Sequence, residues 1–399
     1  MKNIIHFIIV LLFAACTQKQ APIDITNWTY IEVDSTRGRW GDFGETPKWL
    51  RYFGLTMADV DNDNDLDIIS GRYWYRNPGG DMDGNWETIE FGINVDACLT
   101  LDIDGDEFID IIGEALPKVY WLEAANVEGT KWDTTMIGEI PESDHRNGQG
   151  FRVADLNQDR KNEVLLATNG GIFCFESPSN PKTGKWTITL VAVTESSEGF
   201  DIADMDNDGD LDIIAGDLPE SKEGEPVLVK CYVNPGRISE NWKSFLIGNT
   251  IHAVDRVCVA DFDKNGINDV VVAEERWPGK EPDAHLQWFK GVKKGNEVIW
   301  ENNILIEQYS MNNLGVGDID NDGDLDIVTN EHKGSEFKTQ IFQNDGEGNF
   351  TEILVDTGKE SHLGTQLADM DKDGDLDIVS IAWDNPQFVH LWRNDGIKK

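Results

Sequence analysis

Basic charge is what this chain has least of. Its 399 residues carry 34 Lys and Arg against 74 Asp and Glu, a formal net charge of -40. A nucleic-acid partner needs a basic footprint, so that class is excluded. Long apolar runs are missing as well. After the short run Ile4 to Phe13, no stretch is apolar enough to span a bilayer. Cysteines number only five, with no CxxC and no His/Cys cluster at zinc spacing. Sustained helical periodicity is also lacking, which argues against calcium loops flanked by helices. Disorder is excluded from the other side, by 14 Trp and 17 Phe.

What the chain has is one acidic pattern, repeated. The stretch Ala203 to Ile214 places carboxylates at Asp204, Asp206, Asp208 and Asp212, with Gly209 after the third. Alternate side chains converge when a loop curls, and glycine permits the sharp turn. Oxygens at positions 1, 3, 5 and 9, with a backbone carbonyl at 7, suit Ca²⁺. The pattern begins at Asp59, Asp102, Asp155, Asp204, Asp261, Asp318 and Asp369, at spacings of 43, 53, 49, 57, 57 and 51 residues. These loops hold 31 of the 74 acidic side chains, so much of the acidity is metal-site charge. A period of this size marks a propeller or solenoid.

Each unit reads as four short strands. In the first, Leu55 to Ala58 runs into the loop, Leu66 to Ser70 leaves it, Tyr73 to Arg76 ends at Asn77-Pro78-Gly79-Gly80, and Trp86 to Phe91 follows. The fourth strand opens with an aromatic in each of the six complete units: Trp86, Trp132, Trp186, Trp242, Trp300 and Phe350. These are expected to pack between neighbouring sheets. Alanine, poor in strands, precedes the first aspartate at Ala58, Ala154, Ala203, Ala260 and Ala368, as crowding near a central axis would require. The last unit stops after three strands. Asn27-Trp28-Thr29-Tyr30-Ile31-Glu32 matches Asn85 to Glu90 and would supply the fourth. The expected fold is therefore all-β: a seven-bladed β-propeller of four-stranded blades, closed by the N-terminal strand and spanning 27–399. Cys174 and Cys231 occupy equivalent sites in successive blades, roughly 14 Å apart. That is too far for a disulfide, so buried free thiols are expected.

With glycine five residues before the first aspartate in four units (Gly54, Gly150, Gly199 and Gly364), these loops resemble FG-GAP/VCBS repeats, the type that builds the integrin α-chain propeller. The resemblance implies Ca²⁺ loops between the first and second strands of each blade. It does not imply one activity.

The expected metal ligands fall loop by loop. They are Asp59, Asp61, Asp63 and Asp67; Asp102, Asp104, Asp106 and Asp110; Asp204, Asp206, Asp208 and Asp212; Asp261, Asp263, Asn265 and Asp269; Asp318, Asp320, Asp322 and Asp326; and Asp369, Asp371, Asp373 and Asp377. The loop at Asp155 has Asn157, Asp159 and Glu163 but also Arg160 and Lys161, so weak or no binding is expected there, with Lys161 partly replacing the ion. Four to six structural Ca²⁺ ions follow.

Residues 1–15 read as a targeting segment: Lys2, the apolar run, then Ala14-Ala15-Cys16. This resembles a bacterial lipoprotein signal with lipid on Cys16, although Phe13 stands where leucine is usual. Residues 16–26 read as a tether. The expected product is a monomer outside the cytoplasm, touching the membrane through its lipid alone, in the outer membrane of a Gram-negative bacterium.

If the metal loops occupy one face, the other connections occupy the opposite face. His145, His252, His285, His332 and His362 all fall there, with Arg51, Arg72, Arg146, Arg276, Lys333, Glu275, Glu331, Trp277, Trp383 and Asp384. The long connection Asp34 to Phe53 adds Arg37, Arg39, Trp40, Trp49 and Tyr52. Arginine grips carboxylate or sulfate, and tryptophan stacks on sugar rings. Three readings compete. A binding module would hold a glycan or protein ligand through Trp40, Trp49, Arg276, Trp277, His332, His362 and Trp383. An enzyme, such as a polysaccharide lyase or sugar dehydratase, would draw a base and an acid-neutralising group from His252, His145, Arg51, Arg146 and Tyr52. A purely adhesive scaffold is the third reading.

Overall fold

A computed structural model describes residues 22–218 and 225–397. The segment 1–15 and Cys16 lie outside the described residues. Those described form seven four-stranded antiparallel sheets and no α-helix. No described helix is long and apolar enough to cross a membrane. Blades 1 to 6 start at Thr56, Asp96, Phe151, Phe200, Ala253 and Gly315, and strands follow chain order within each. Blade 7 takes Leu363–Ala368, Asp377–Ile381 and Val389–Asn394, then adds Trp28–Asp34 at its outer edge. There Trp28 pairs with Asn394 and Ile31 with Leu391, antiparallel, so the first described strand closes the ring as expected.

The hydrophobic core is divided into seven clusters, one at each blade-to-blade interface. Blade 7 meets blade 1 through Met370, Val379 and Leu391 against Leu55, Ile68 and Tyr75. The aromatic that opens each outer strand fills these seams: Trp186 between blades 2 and 3, Trp242 between 3 and 4, Phe350 between 5 and 6. Near the axis, space is short. A Cβ on Gly54 would lie 2.0 Å from Ala97 O, and one on Gly150 2.3 Å from Glu198 O. The glycine of the repeat therefore lets neighbouring innermost strands abut. Cys98, Cys174 and Cys231 are buried free thiols, and Cys258 is free and half-buried.

Two expectations change. The folded body begins before Trp28: Ile25 is buried, and Ile23 N–H donates to Asp320 O at 2.8 Å beside the blade 6 acidic loop. Any free tether is thus shorter than 16–26, because Ile23 and Ile25 dock on the cluster between blades 6 and 7. The long connection after Asp34 is a packed brace. Its Arg37 is buried, donating to Pro386 O at 2.8 Å and to Ser70 Oγ at 2.5 Å, and so ties blade 7 to blade 1.

Candidate functional site

The acidic loops share one geometry. In blade 4, Asp208 and Gly209 N–H donate to the two carboxylate oxygens of Asp204, at 3.2 and 3.0 Å. Asn207 and Gly209 take positive φ to make the turn. Asp212, at position 9, is fully buried; one oxygen accepts Met205 N–H at 3.0 Å and the other Asn234 N–H at 2.8 Å. The same pair of accepted hydrogen bonds recurs at Asp67, Asp110, Asp269, Asp326 and Asp377. Position 9 is therefore a staple between the loop and the third strand as well as a candidate ligand.

Several loops fit a hard cation. Donor oxygens of Asp59, Asp61 and Asp67 lie within 4.8 Å of one another, as do those of Asp102, Asp104 and Asp110, and of Asp204, Asp206 and Asp212. Buried oxygens Asp61 Oδ1, Asp104 Oδ1 and Asp318 Oδ1 have no hydrogen-bond partner. An ion would satisfy them. Burial pushes the position-9 carboxyls up: Asp67, Asp110 and Asp326 to about 7, Asp212 and Asp269 to about 6, Asp377 to about 8. Lysine and arginine already reach some loops, Arg76 to Asp61 at 2.7 Å and Lys290 to Asp263 at 2.6 Å. The Asp155 loop differs. Asn157 Nδ2 donates to Glu163 Oε1 at 3.1 Å, closing the cage on itself. Lys161 is exposed and makes no ion pair with this loop among the described residues, so it does not stand in for the ion.

Two fasteners carried weaker sequence signals. Asparagine at the end of the third strand, read as a turn residue, bridges blades: Asn77 Nδ2 reaches Met370 O at 3.0 Å, Asn234 reaches Leu156 O at 2.8 Å, and Asn344 reaches Phe262 O at 2.8 Å. Position 4 of the loop does the same at the rim, as Asn321 Nδ2 donates to Gly374 O at 2.8 Å.

The opposite face gathers some of the expected residues and separates others. Trp49, Arg51, His145, His332, His362 and Trp383 come together. Trp383 stacks on Phe53 (5.1 Å) and on His362 (5.2 Å), with His145 at 5.5 Å and the Arg51 guanidinium 5.5 Å above its ring. Trp49, 44% exposed, meets His145 edge-on at 5.8 Å. Arg51 Nε also donates to Trp383 O at 3.0 Å. Beneath this platform, Glu360 binds His332 Nδ1 at 2.9 Å and accepts Trp383 and Asp384 N–H, both at about 3.1 Å. Burial and the neighbouring His332 hold His362 well below the usual imidazole range.

Trp40 and Tyr52 are not on this surface. Each is 1% exposed, and they pack edge-to-face against one another at 5.7 Å. The Tyr52 hydroxyl donates to Asn94 at 2.6 Å, and burial drives its pKa far above the ordinary phenol value, so it offers no base. Arg146 lies over Trp40 and pairs with Glu45, bracing the same connection. His252 belongs to a separate group, with Asp283 at 3.5 Å and Arg276 on the other oxygen of that carboxylate. Trp277, which follows Arg276 in the chain, is 69% exposed. His285 is the second residue of a strand and no loop residue. Sequence reasoning passed over Glu360, whose partners come from two other connections.

The fold and loops define a class: a seven-bladed β-propeller carrying an acidic loop in each blade. Its repeats are FG-GAP-like, and the model of that repeat matches residues 155–215 and 261–329. Cartilage acidic protein 1 of Xenopus tropicalis is 35% identical over 89 residues, which are 21% of this chain and 13% of that protein. The chain thus spans about an eighth of the length of this curated relative. Among solved structures, an Agrocybe aegerita lectin described as recognising terminal N-acetylglucosamine has a TM-score of 0.48 at 17% identity, covering 78% of this chain and 82% of its own. The V. cholerae biofilm matrix protein Bap1 has a TM-score of 0.48 at 10% identity, covering 92% and 91%. A Penicillium chrysogenum α-L-arabinanase has a TM-score of 0.41 at 16% identity, covering 92% and 98%. At TM-scores below 0.5, these likenesses carry no ligand to this chain.

Proposed function

We propose that this protein is a Ca²⁺-stabilised, extracytoplasmic binding propeller, lipid-anchored at Cys16 in an outer membrane, that holds a glycan on the face opposite the acidic loops. The observation that supports this reading is the Trp383 platform. Exposed Trp49 offers stacking surface, and the Arg51 guanidinium, seated over the half-buried Trp383 ring, offers a cation beside it. That pairing suits a sugar bearing carboxylate or sulfate. The test is retention of acidic and neutral oligosaccharides on immobilised protein. Wild type should retain an acidic class, and Arg51→Ala, which removes the charge-assisted contact, and Trp383→Ala, which removes the ring that seats it, should each weaken it at least about tenfold. Equal retention by both variants would remove the platform from the argument.

The lyase reading keeps His145 and Arg51, which meet at Trp383, and loses Tyr52 as a base. It is tested by incubating uronate polysaccharides with the protein and following absorbance of an unsaturated product. Absence of product across such a panel would leave binding as the function.

A further inference from the structure

We infer that a second kind of metal site, built for a transition-metal ion such as Zn²⁺, lies on the face opposite the acidic loops, with Glu275, His332 and His362 as its ligands. Glu275 ends the second strand of blade 5, His332 follows the second strand of blade 6, and His362 precedes the first strand of blade 7. Their donor atoms lie within 4.8 Å of one another. Donors around tetrahedral zinc stand roughly 3.3 Å apart, so a small inward movement closes the set.

Two further observations point to an ion. Nδ1 of His362 is buried without a hydrogen-bond partner, in a residue only 5% exposed. A buried imidazole nitrogen left this way costs free energy that a metal would recover. His332 also has the support that metal-binding histidines have. Its Nδ1 sits 2.9 Å from Glu360, which is itself buried and held by the backbone N–H groups of Trp383, Asp384 and Asn385. That carboxylate fixes the ring and leaves Nε2 for an ion. The nearby Lys333 ammonium is engaged elsewhere, with Asp384 at 2.8 Å.

The donor set separates this site from the acidic loops. Two imidazoles and one carboxylate suit Zn²⁺ or its neighbours, whereas Ca²⁺ takes oxygen ligands. Three protein donors leave a position open to water or a ligand oxygen. Sequence spacing hides the set because its members come from three blades. The site goes beyond the glycan reading, and its test reads metal alone.

The experiment uses the mature protein, stripped with chelator and returned to excess Ca²⁺ so that the acidic loops are filled. Co²⁺ is then titrated in. One equivalent should bind with the visible absorption of nitrogen-ligated cobalt, and Zn²⁺ should displace it. His332→Gln and His362→Gln should each abolish the absorption, and Glu360→Gln should weaken binding about 10- to 100-fold, as loss of a supporting carboxylate does. Glu301→Gln, exposed on the outer strand of blade 5, should leave it unchanged. Far-ultraviolet circular dichroism in Ca²⁺ alone checks that each variant folds. Should a histidine variant misfold, Glu275→Gln takes its place. No cobalt absorption in the wild type, or an unchanged signal in the folded ligand variants, would overturn the site.

Discussion

The two faces of the disc are built on opposite plans. On the loop face, each blade repeats one solution: a carboxylate at position 9 receives the N–H of the residue after the first aspartate, from Val60 in blade 1 to Met370 in blade 7. On the other face, equivalent places carry different side chains, such as Phe53, Asp96, Gln149, Glu198 and Asn312. Repetition serves a need every blade shares, which is holding its inner strands in the ring. Departure from repetition falls on the face where the proposed ligand would bind.

Breaking the loop face should cost most. Chelation of Ca²⁺ is expected to lower the Tm on the order of 10 °C or more, since each site filled at a hundred times its Kd contributes about 2.7 kcal/mol. A calorimetric scan that did not move would refute ion-dependent loops. The chelated protein should also gain a pH dependence. The position-9 carboxyls have folded pKa values raised to about 6 to 8 by burial. A carboxyl raised in this way contributes stability below its unfolded pKa of about 4, and loses that contribution as pH rises through the folded value. The Tm without Ca²⁺ should therefore fall from about pH 4 to pH 8, and saturating Ca²⁺ should flatten the slope. Parallel slopes in both conditions would contradict the assignment.

Smaller effects sharpen the contrast. Asp212→Ala strands two backbone N–H groups, those of Met205 and Asn234, and should cost about 2–5 kcal/mol in denaturant unfolding. Asn344→Ala removes the link to Phe262 O between blades and should cost about 1–3 kcal/mol. Trp49→Ala, on the other face, should change stability by no more than about 0.5 kcal/mol while weakening glycan retention. If Trp49→Ala destabilised as much as Asn344→Ala, the division between the faces would fail.

What could be read from sequence follows the same division. The seven loops, four strands per unit and closure by Trp28–Asp34 were legible because one chemistry recurs at a near-fixed spacing. Asn77 was legible only as a turn, because the carbonyl it fastens belongs to Met370, 293 residues away. Trp40 and Tyr52 misled for a physical reason. A long polar connection suggests exposure, yet this one folds back and buries both rings against Arg146 and Tyr73. Glu360 gave no signal at all, since its meaning depends on His332 and on the turn after Trp383.

The entry of the chain has its own consequence. Ile23 and Ile25 seat the N-terminus beside the blade 6 acidic loop. A lipid on Cys16 would hang the molecule from that side. The calcium cages would then sit against the headgroups, and the tryptophan and histidine surface would look out into open solvent, where a long polymer could approach it unobstructed.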